Sequence, residues 1–269
     1  MLLRTDGDAV LAIGQASHAW ISGQLARAWG NERTAAPEPR EEVWLAAEQH
    51  DIGMAEWDLR PALNPDTGLA QSFLEMPLVV HVGLWTAAPG RLMSQSRYAS
   101  LLVSMHGTAL YERRDMASMT SEDRSLVLGY LDSQNVLQSE LADRLGADRD
   151  RLRRNQRLLW TWDAMSLALC LRWDPSTFSE VPANAGEPEL ELSLRAIDER
   201  RFALDPWPFG PEQVTVRCEG SRLEGRHETE PELHRALRLA PVQKLEFTLE
   251  QASAAQTRVW SAVLYGPCT

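Results

Sequence analysis

Residues 173–197, WDPSTFSEVPANAGEPELELSLRAI, hold the change of rhythm that decides the fold class. The stretch 173–189 is rich in Pro, Ser, Asn and Gly and reads as a connector. From residue 189 onward apolar and polar residues alternate. ELELSLRAI (189–197), RRFALD (200–205), QVTVRCEG (213–220) and KLEFTLEQ (244–251) follow this period, and TRVWSAVLY (257–265) is rich in β-forming residues. Such segments are expected to be antiparallel strands with one buried face.

Upstream of the connector the period is helical. Helices are expected over residues 17–29, 41–55, 77–88, 98–113, 121–145 and 151–172, and residues 2–4 and 9–13 flank an Asp6-Gly7 turn suited to a tight hairpin. The reading is therefore α+β: an all-helical bundle over 1–183, carrying an N-terminal β-hairpin, and an antiparallel β segment over 184–269 packed on it. That segment is expected to cover the bundle, to widen a pocket or to mediate homodimerisation.

Composition narrows the function classes. The chain has 269 residues, 44% hydrophobic, with ten Trp, which supports a packed core and excludes disorder. Formal net charge is −11, the sign opposite to what tracking a nucleic-acid backbone requires. Lys244 is the only lysine, and neither a phosphate-binding glycine loop nor a G-x-S-x-G element occurs. No run of about 18 apolar residues indicates a membrane span, and MLLRTDGDAV lacks the apolar stretch of a signal peptide. Cys170, Cys218 and Cys268 form no C-x-x-C pair, so a reducing cytoplasm is expected.

The polar residues that interrupt the apolar stripes carry the chemistry. His18 extends the row Ile21, Leu25, Ala28, and His50 sits between Ala47 and Met54. His81 lies between Leu78 and Trp85, His106 among Leu102, Val103 and Leu110, and Asp163 between Leu159 and Leu167. Asp51, beside His50, would point ~100° further around a continuous helix. Burying an unpaired carboxylate costs several kcal/mol. A cation would compensate all of these groups together, and bundle cores are a usual place for such sites. Imidazoles and carboxylates without thiolate suit Fe, Mn, Co, Ni or Zn. Six ligands exceed the need of one tetrahedral ion and suit two ions that share a bridging carboxylate. Trp57, Asp58 and Arg60 after the His50-Asp51 pair, and Tyr111 and Arg113 after His106, are the candidate substrate-binding residues. His227 and His234 read as surface residues, as does Glu48.

The ordered set His18, His50-Asp51, His81, His106, Asp163 resembles the H…HD…H…H…D pattern of the HD-domain superfamily. HDIGMAEWD, SMHGTALYERR, TWDAMSLALC and LDPWPFG are similar to segments of the DUF3891 family across nearly the whole chain. The superfamily resemblance implies one metal held by His18, His50, Asp51 and Asp163, and a second held by Asp51, His81 and His106, with Asp51 central to catalysis. It implies either a mixed-valent di-iron oxygenase acting on a small hydroxylated or phosphonate-like substrate or a metal-dependent phosphohydrolase of a nucleotide or small phosphate ester. A non-catalytic metal-binding sensor or interaction module is the third expectation. Superfamily oxygenases hold substrate with a basic residue soon after the second-metal histidine; here Arg113 or Arg114 occupies that stretch. The expected partner is a small, anionic molecule.

Overall fold

In the computed structural model, which describes residues 1–253, strands from both ends of the chain meet in a single sheet. β1 (Leu2–Asp6) and β2 (Ala9–Ile13) form the hairpin expected around Gly7. β3 (Leu63–Asn64) and β4 (Leu69–Ala70) pair in a separate two-stranded sheet, and the later strands are β5 (Ser176–Val181), β6 (Leu190–Ala196), β7 (Arg201–Asp205), β8 (Gln213–Glu224) and β9 (Val242–Gln251). The sheet has seven strands in the order β1-β2-β8-β9-β7-β6-β5. All neighbours are antiparallel except β7 and β9, which run parallel.

This corrects the fold expected from sequence. The molecule is not an all-helical bundle with a hairpin and a separate antiparallel segment; it is an α+β fold on a seven-stranded mixed sheet. β2 pairs with β8 through Ile13 and Gly220, and that hydrogen-bonded register makes the hairpin part of the sheet. Local alternation shows that a strand has one buried face, but it carries no information on its partner. β8 does alternate, with Val214, Val216 and Cys218 buried and the residues between them exposed. Residues 257–265 and Cys268 lie outside the described residues.

The helices are α1 (Gln15–Ala28), α2 (Arg40–Gln49), α3 (Ala55–Leu59), α4 (Leu78–Leu92), α5 (Arg97–Glu112), α6 (Ser121–Leu145), α7 (Arg149–Leu171) and α8 (Glu230–Leu239). Side-chain caps start several of them: Ser96 accepts from Ala99 N, Thr120 from Asp123 N, and Asp148 from Asp150 N and Arg151 N. Gly146 ends α6 in the left-handed conformation. α1 packs between β8 on one side and α2 and α7 on the other. One apolar core accordingly joins Leu11 and Ile13 of the hairpin to Ile21, Leu25, Trp162, Phe202 and Phe247. The turn 205–210 closes on this core, with Phe209 edge-on to Trp29 at 5.5 Å. A smaller cluster of Met1, Ala12, Leu223 and Leu233 packs around α8, to which no element was assigned from sequence, while β5 is a strand inside the stretch read as a connector. Among the described residues no helix is long and apolar enough to cross a membrane.

Candidate metal centre

The helix expected over residues 41–55 stops at its most important residue. α2 ends at Gln49, His50 caps it, and Asp51 adopts φ −99° and ψ 18° before a short 3₁₀ turn over Ile52–Met54. This is the sparsely allowed bridge region, frequent among active-site residues. From this break both adjacent side chains reach one cluster.

Four elements supply that cluster. α1 brings His18, the end of α2 brings His50 and Asp51, α5 brings His106, and α7 brings Asp163. The crossing of α1 and α2 depends on Gly23, where an added Cβ would lie 2.7 Å from the Glu48 Cβ. His18 Nε2 lies 2.8 Å from Asp51 Oδ2, and His50 Nε2 lies 3.7 Å from the same oxygen. His50 Nε2 is 3.3 Å from Asp163 Oδ1, and His106 Nε2 is 3.4 Å from Asp163 Oδ2. Ligand atoms of His18, His50 and Asp163 all fall within 4.8 Å of one another, and the three residues are buried.

Hydrogen bonds aim the imidazoles. Ser166 Oγ donates to the Asp163 carbonyl at 2.8 Å, so a lone pair of the same oxygen is free to accept from His18 Nδ1 at 2.9 Å. His50 Nδ1 donates to the Ala47 carbonyl at 2.9 Å. Each ring is thereby turned with Nε2 inward, as metal-ligating histidines usually are. His50 Nε2 and Asp163 Oδ1 have no hydrogen-bond partner although both are buried. These unpartnered atoms, facing each other beside a second carboxylate, fit a cation; the cluster could hold a metal ion.

The electrostatics agree. Burial by itself would lower the His50 pKa, but Asp51 and Asp163 outweigh it and raise the value to about 9. Burial opposes ionisation of Asp163, yet His50 and His106 hold its carboxyl well below the ordinary value. Asp51 is likewise lowered, burial notwithstanding, by His50 and His18. Without a metal, a proton on His50 compensates part of the buried negative charge.

A cavity of about 300 Å³ opens over this cluster. His18, Asp51, His81, His106 and Asp163 line it, with Arg114 as its cationic group. Its remaining walls are largely apolar, including Met54, Phe73, Met76, Leu110 and Leu167. His50 supports the cluster from behind. His81 enters the same cavity from α4 but has other partners. Trp85 Nε1 donates to its Nε2 at 3.2 Å, and its Nδ1 lies 2.5 Å from the Tyr111 hydroxyl. Burial and the Arg114 charge lower its pKa to about 4, so the ring is neutral. Trp85 and Tyr130 reach this wall because residue 107 is Gly: a Cβ there would stand 2.3 Å from the Tyr130 hydroxyl and 2.7 Å from the Trp85 ring.

The expected substrate residues scatter. Tyr111 is fully buried and reaches the cavity only through His81. Arg113 lies outside the cavity, its guanidinium 4.0 Å from the centre of the Trp160 ring. Trp57 packs against the core and Arg60 is exposed at the end of α3. Asp58 accepts from the Gln15 backbone N–H and pairs with the Met1 amino group at 2.9 Å. Burial pushes its carboxyl above the ordinary value, against the pull of these two partners. Glu48 pairs with Arg27 at 2.5 Å, and His234 Nε2 bonds the Pro61 carbonyl at 2.9 Å, both away from the cavity. The reading of sequence missed Gln15, Leu110 and Leu167 as lining residues. Helical spacing was the available signal: they lie three or four positions from His18, His106 and Asp163, on the same helix faces.

No curated protein and no solved structure matches the chain. The family model described as "Protein of unknown function (DUF3891)" matches residues 1–225, which include every residue of the cluster. The chain belongs to the DUF3891 family.

Proposed function

We propose that the protein is a metal-dependent enzyme with an HD-type ligand set, acting on a small anionic molecule bound in the cavity over His18, His50, Asp51 and Asp163. The observation that carries this reading is the coincidence of unpartnered inward-facing ligand atoms with a largely apolar cavity that has Arg114 at its wall. His18, His50, Asp51 and Asp163 hold the first ion. Asp51, His106 and His81 would hold a second, once Trp85 released the His81 Nε2 lone pair.

Iron in this donor set would supply oxygen activation, whereas a redox-inert ion would supply a water of lowered pKa. The chain's own residues do the rest. Arg114, its guanidinium 5.1 Å from the centre of the Tyr111 ring, binds the anionic group. Met54, Phe73, Met76, Leu110 and Leu167 exclude water from the space above the cluster. The largely apolar walls favour oxygenase chemistry on a small hydroxylated or phosphonate-like substrate, because they limit the water beside reactive species.

Reconstitution with iron, followed by EPR and oxygen-consumption measurements, tests this. A mixed-valent signal and substrate-dependent oxygen uptake are expected; their absence overturns the oxygenase reading. The N/O donor set equally accommodates Mn, Co or Ni, which favours phosphohydrolysis as the second reading. A screen of phosphate esters with those metals decides it. A chain that binds no metal under any of these conditions would instead be a sensor or interaction module.

A further inference from the structure

Gln15 is the first residue of α1 and lines the cavity next to the metal cluster. It is 5% exposed, and its Oε1 is buried without a hydrogen-bond partner. Its backbone is anchored, since Gln15 N–H donates to Asp58 Oδ2. Gly14 leaves room for this contact: a Cβ there would stand 3.2 Å from the same oxygen. The main chain is therefore fixed at the cavity edge, and the buried side-chain oxygen has no protein donor.

A buried acceptor left unpaired is costly, because it has given up its hydrogen bonds to water. A ligand that fills the cavity without bringing a donor would seal that cost in; one that brings a donor removes it. A site built in this way rejects analogues lacking the donor far more strongly than an apolar wall rejects a missing methyl group.

We propose that Gln15 is a specificity-determining residue that accepts a hydrogen bond from a hydroxyl or amide N–H on the bound molecule. The ligand class follows from three groups sharing one cavity: an anionic group for Arg114, an apolar body for Phe73, Met76 and Leu110, and a neutral donor for Gln15. This rests on the reading of the cavity as the substrate site, and it assigns Asp58 the role of a positioning residue acting through Gln15.

The test compares isocaproate with α-hydroxyisocaproate, which differ only in one hydroxyl. Their affinities are measured by calorimetry for the wild-type chain and for Gln15→Met, each with and without bound manganese. The wild type should prefer the hydroxy acid by about tenfold or more, the equivalent of about 1.4 kcal/mol. In Gln15→Met the preference should fall below about threefold, while isocaproate affinity, the control for an intact cavity, stays within about threefold of wild type. Arg114→Gln should weaken both acids alike.

A preference that persists in Gln15→Met overturns the proposal, as does failure of either acid to bind the wild type. A preference that needs manganese and ignores Gln15 is chelation; it overturns the role of Gln15 and leaves the metal reading standing. A preference that survives metal removal and disappears in Gln15→Met supports Gln15 independently of the metal reading, whose own test is metal content. If Gln15→Met binds neither acid, Asp58→Asn provides the second comparison. It retains the Gln15 side chain but weakens its anchor, and a reduced preference with unchanged isocaproate affinity is expected; an unchanged preference counts against the proposal.

Discussion

The two sides of the cavity use the same residue type in opposite ways. On the α1–α2–α7 side, His18 and His50 spend Nδ1 on Ser166 and on the Ala47 carbonyl, leaving Nε2 turned toward two carboxylates. On the α4–α5 side, His81 has Nδ1 against Tyr111 and Nε2 accepting from Trp85. All three histidines interrupt apolar stripes and all three touch the cavity or its cluster. Burial made them candidates; the second nitrogen separates them, since His50 Nε2 has no partner, His18 Nε2 bonds a carboxylate of the cluster, and His81 Nε2 is taken by an indole. Charge follows the same division, with His50 raised to about 9 and His81 lowered to about 4.

The comparison breaks most completely at Asp51. Asp51→Ala removes the carboxylate nearest His18 and the second one beside His50, and metal affinity after purification and reconstitution should fall by more than about 100-fold. Elemental analysis and metal titration measure this, and full metal content in the variant would refute the shared site. Gly107→Ala strikes the other side. Its methyl group would meet Tyr130 and Trp85 at less than contact distance, so a stability loss of about 1–3 kcal/mol is expected in thermal or denaturant unfolding. An unchanged midpoint would show that this wall repacks freely.

Ser166→Ala leaves the ligands intact but takes away the acceptor that orients His18. Metal affinity should drop about 10–100-fold with the fold retained by circular dichroism. pH sharpens the contrast further. The folded-state pKa of His50, about 9, lies above its ordinary 6.5. Its contribution to the stability of the metal-free protein is thus fully present below pH 6.5 and is lost as pH rises through about 9. Metal must displace that proton, so apparent metal affinity should rise by about tenfold per pH unit up to the same point. A flat affinity profile between neutral pH and the His50 pKa would contradict this. The smallest effect is expected for Trp85→Phe, which frees the His81 Nε2 lone pair. Affinity for a second metal equivalent should increase by less than about tenfold, with the first unchanged.

Much of this site was legible in sequence because buried polar groups are costly and therefore conspicuous. His18, His106 and Asp163 stand out at helical spacing, and each is buried in the cluster. The substrate residues were less legible. Arg113 and Arg114 are adjacent in a turn, and only the end of α5 decides that Arg114 lines the cavity while Arg113 stacks on Trp160. Asp58 follows the His50-Asp51 pair closely, yet its carboxyl is spent on the chain near Met1 and Gln15. Gln15 itself is an unremarkable polar residue at a helix start until the cavity above it is known.

Period and chemistry, both local properties, were determined by the sequence alone. Helices over 121–145 and the neighbouring segments, the strand period after residue 189, and the identity of the buried imidazoles and carboxylates all follow from residues within a few turns of each other. Tertiary structure decided what pairs with what. Ile13 meets Gly220 in the sheet, β7 runs parallel to β9, and α2 breaks at His50 so that Asp51 turns toward His18. Strand partners and hydrogen-bond partners are chosen by packing across hundreds of residues, where a one-residue change of register or a single indole N–H alters the outcome without altering the local pattern.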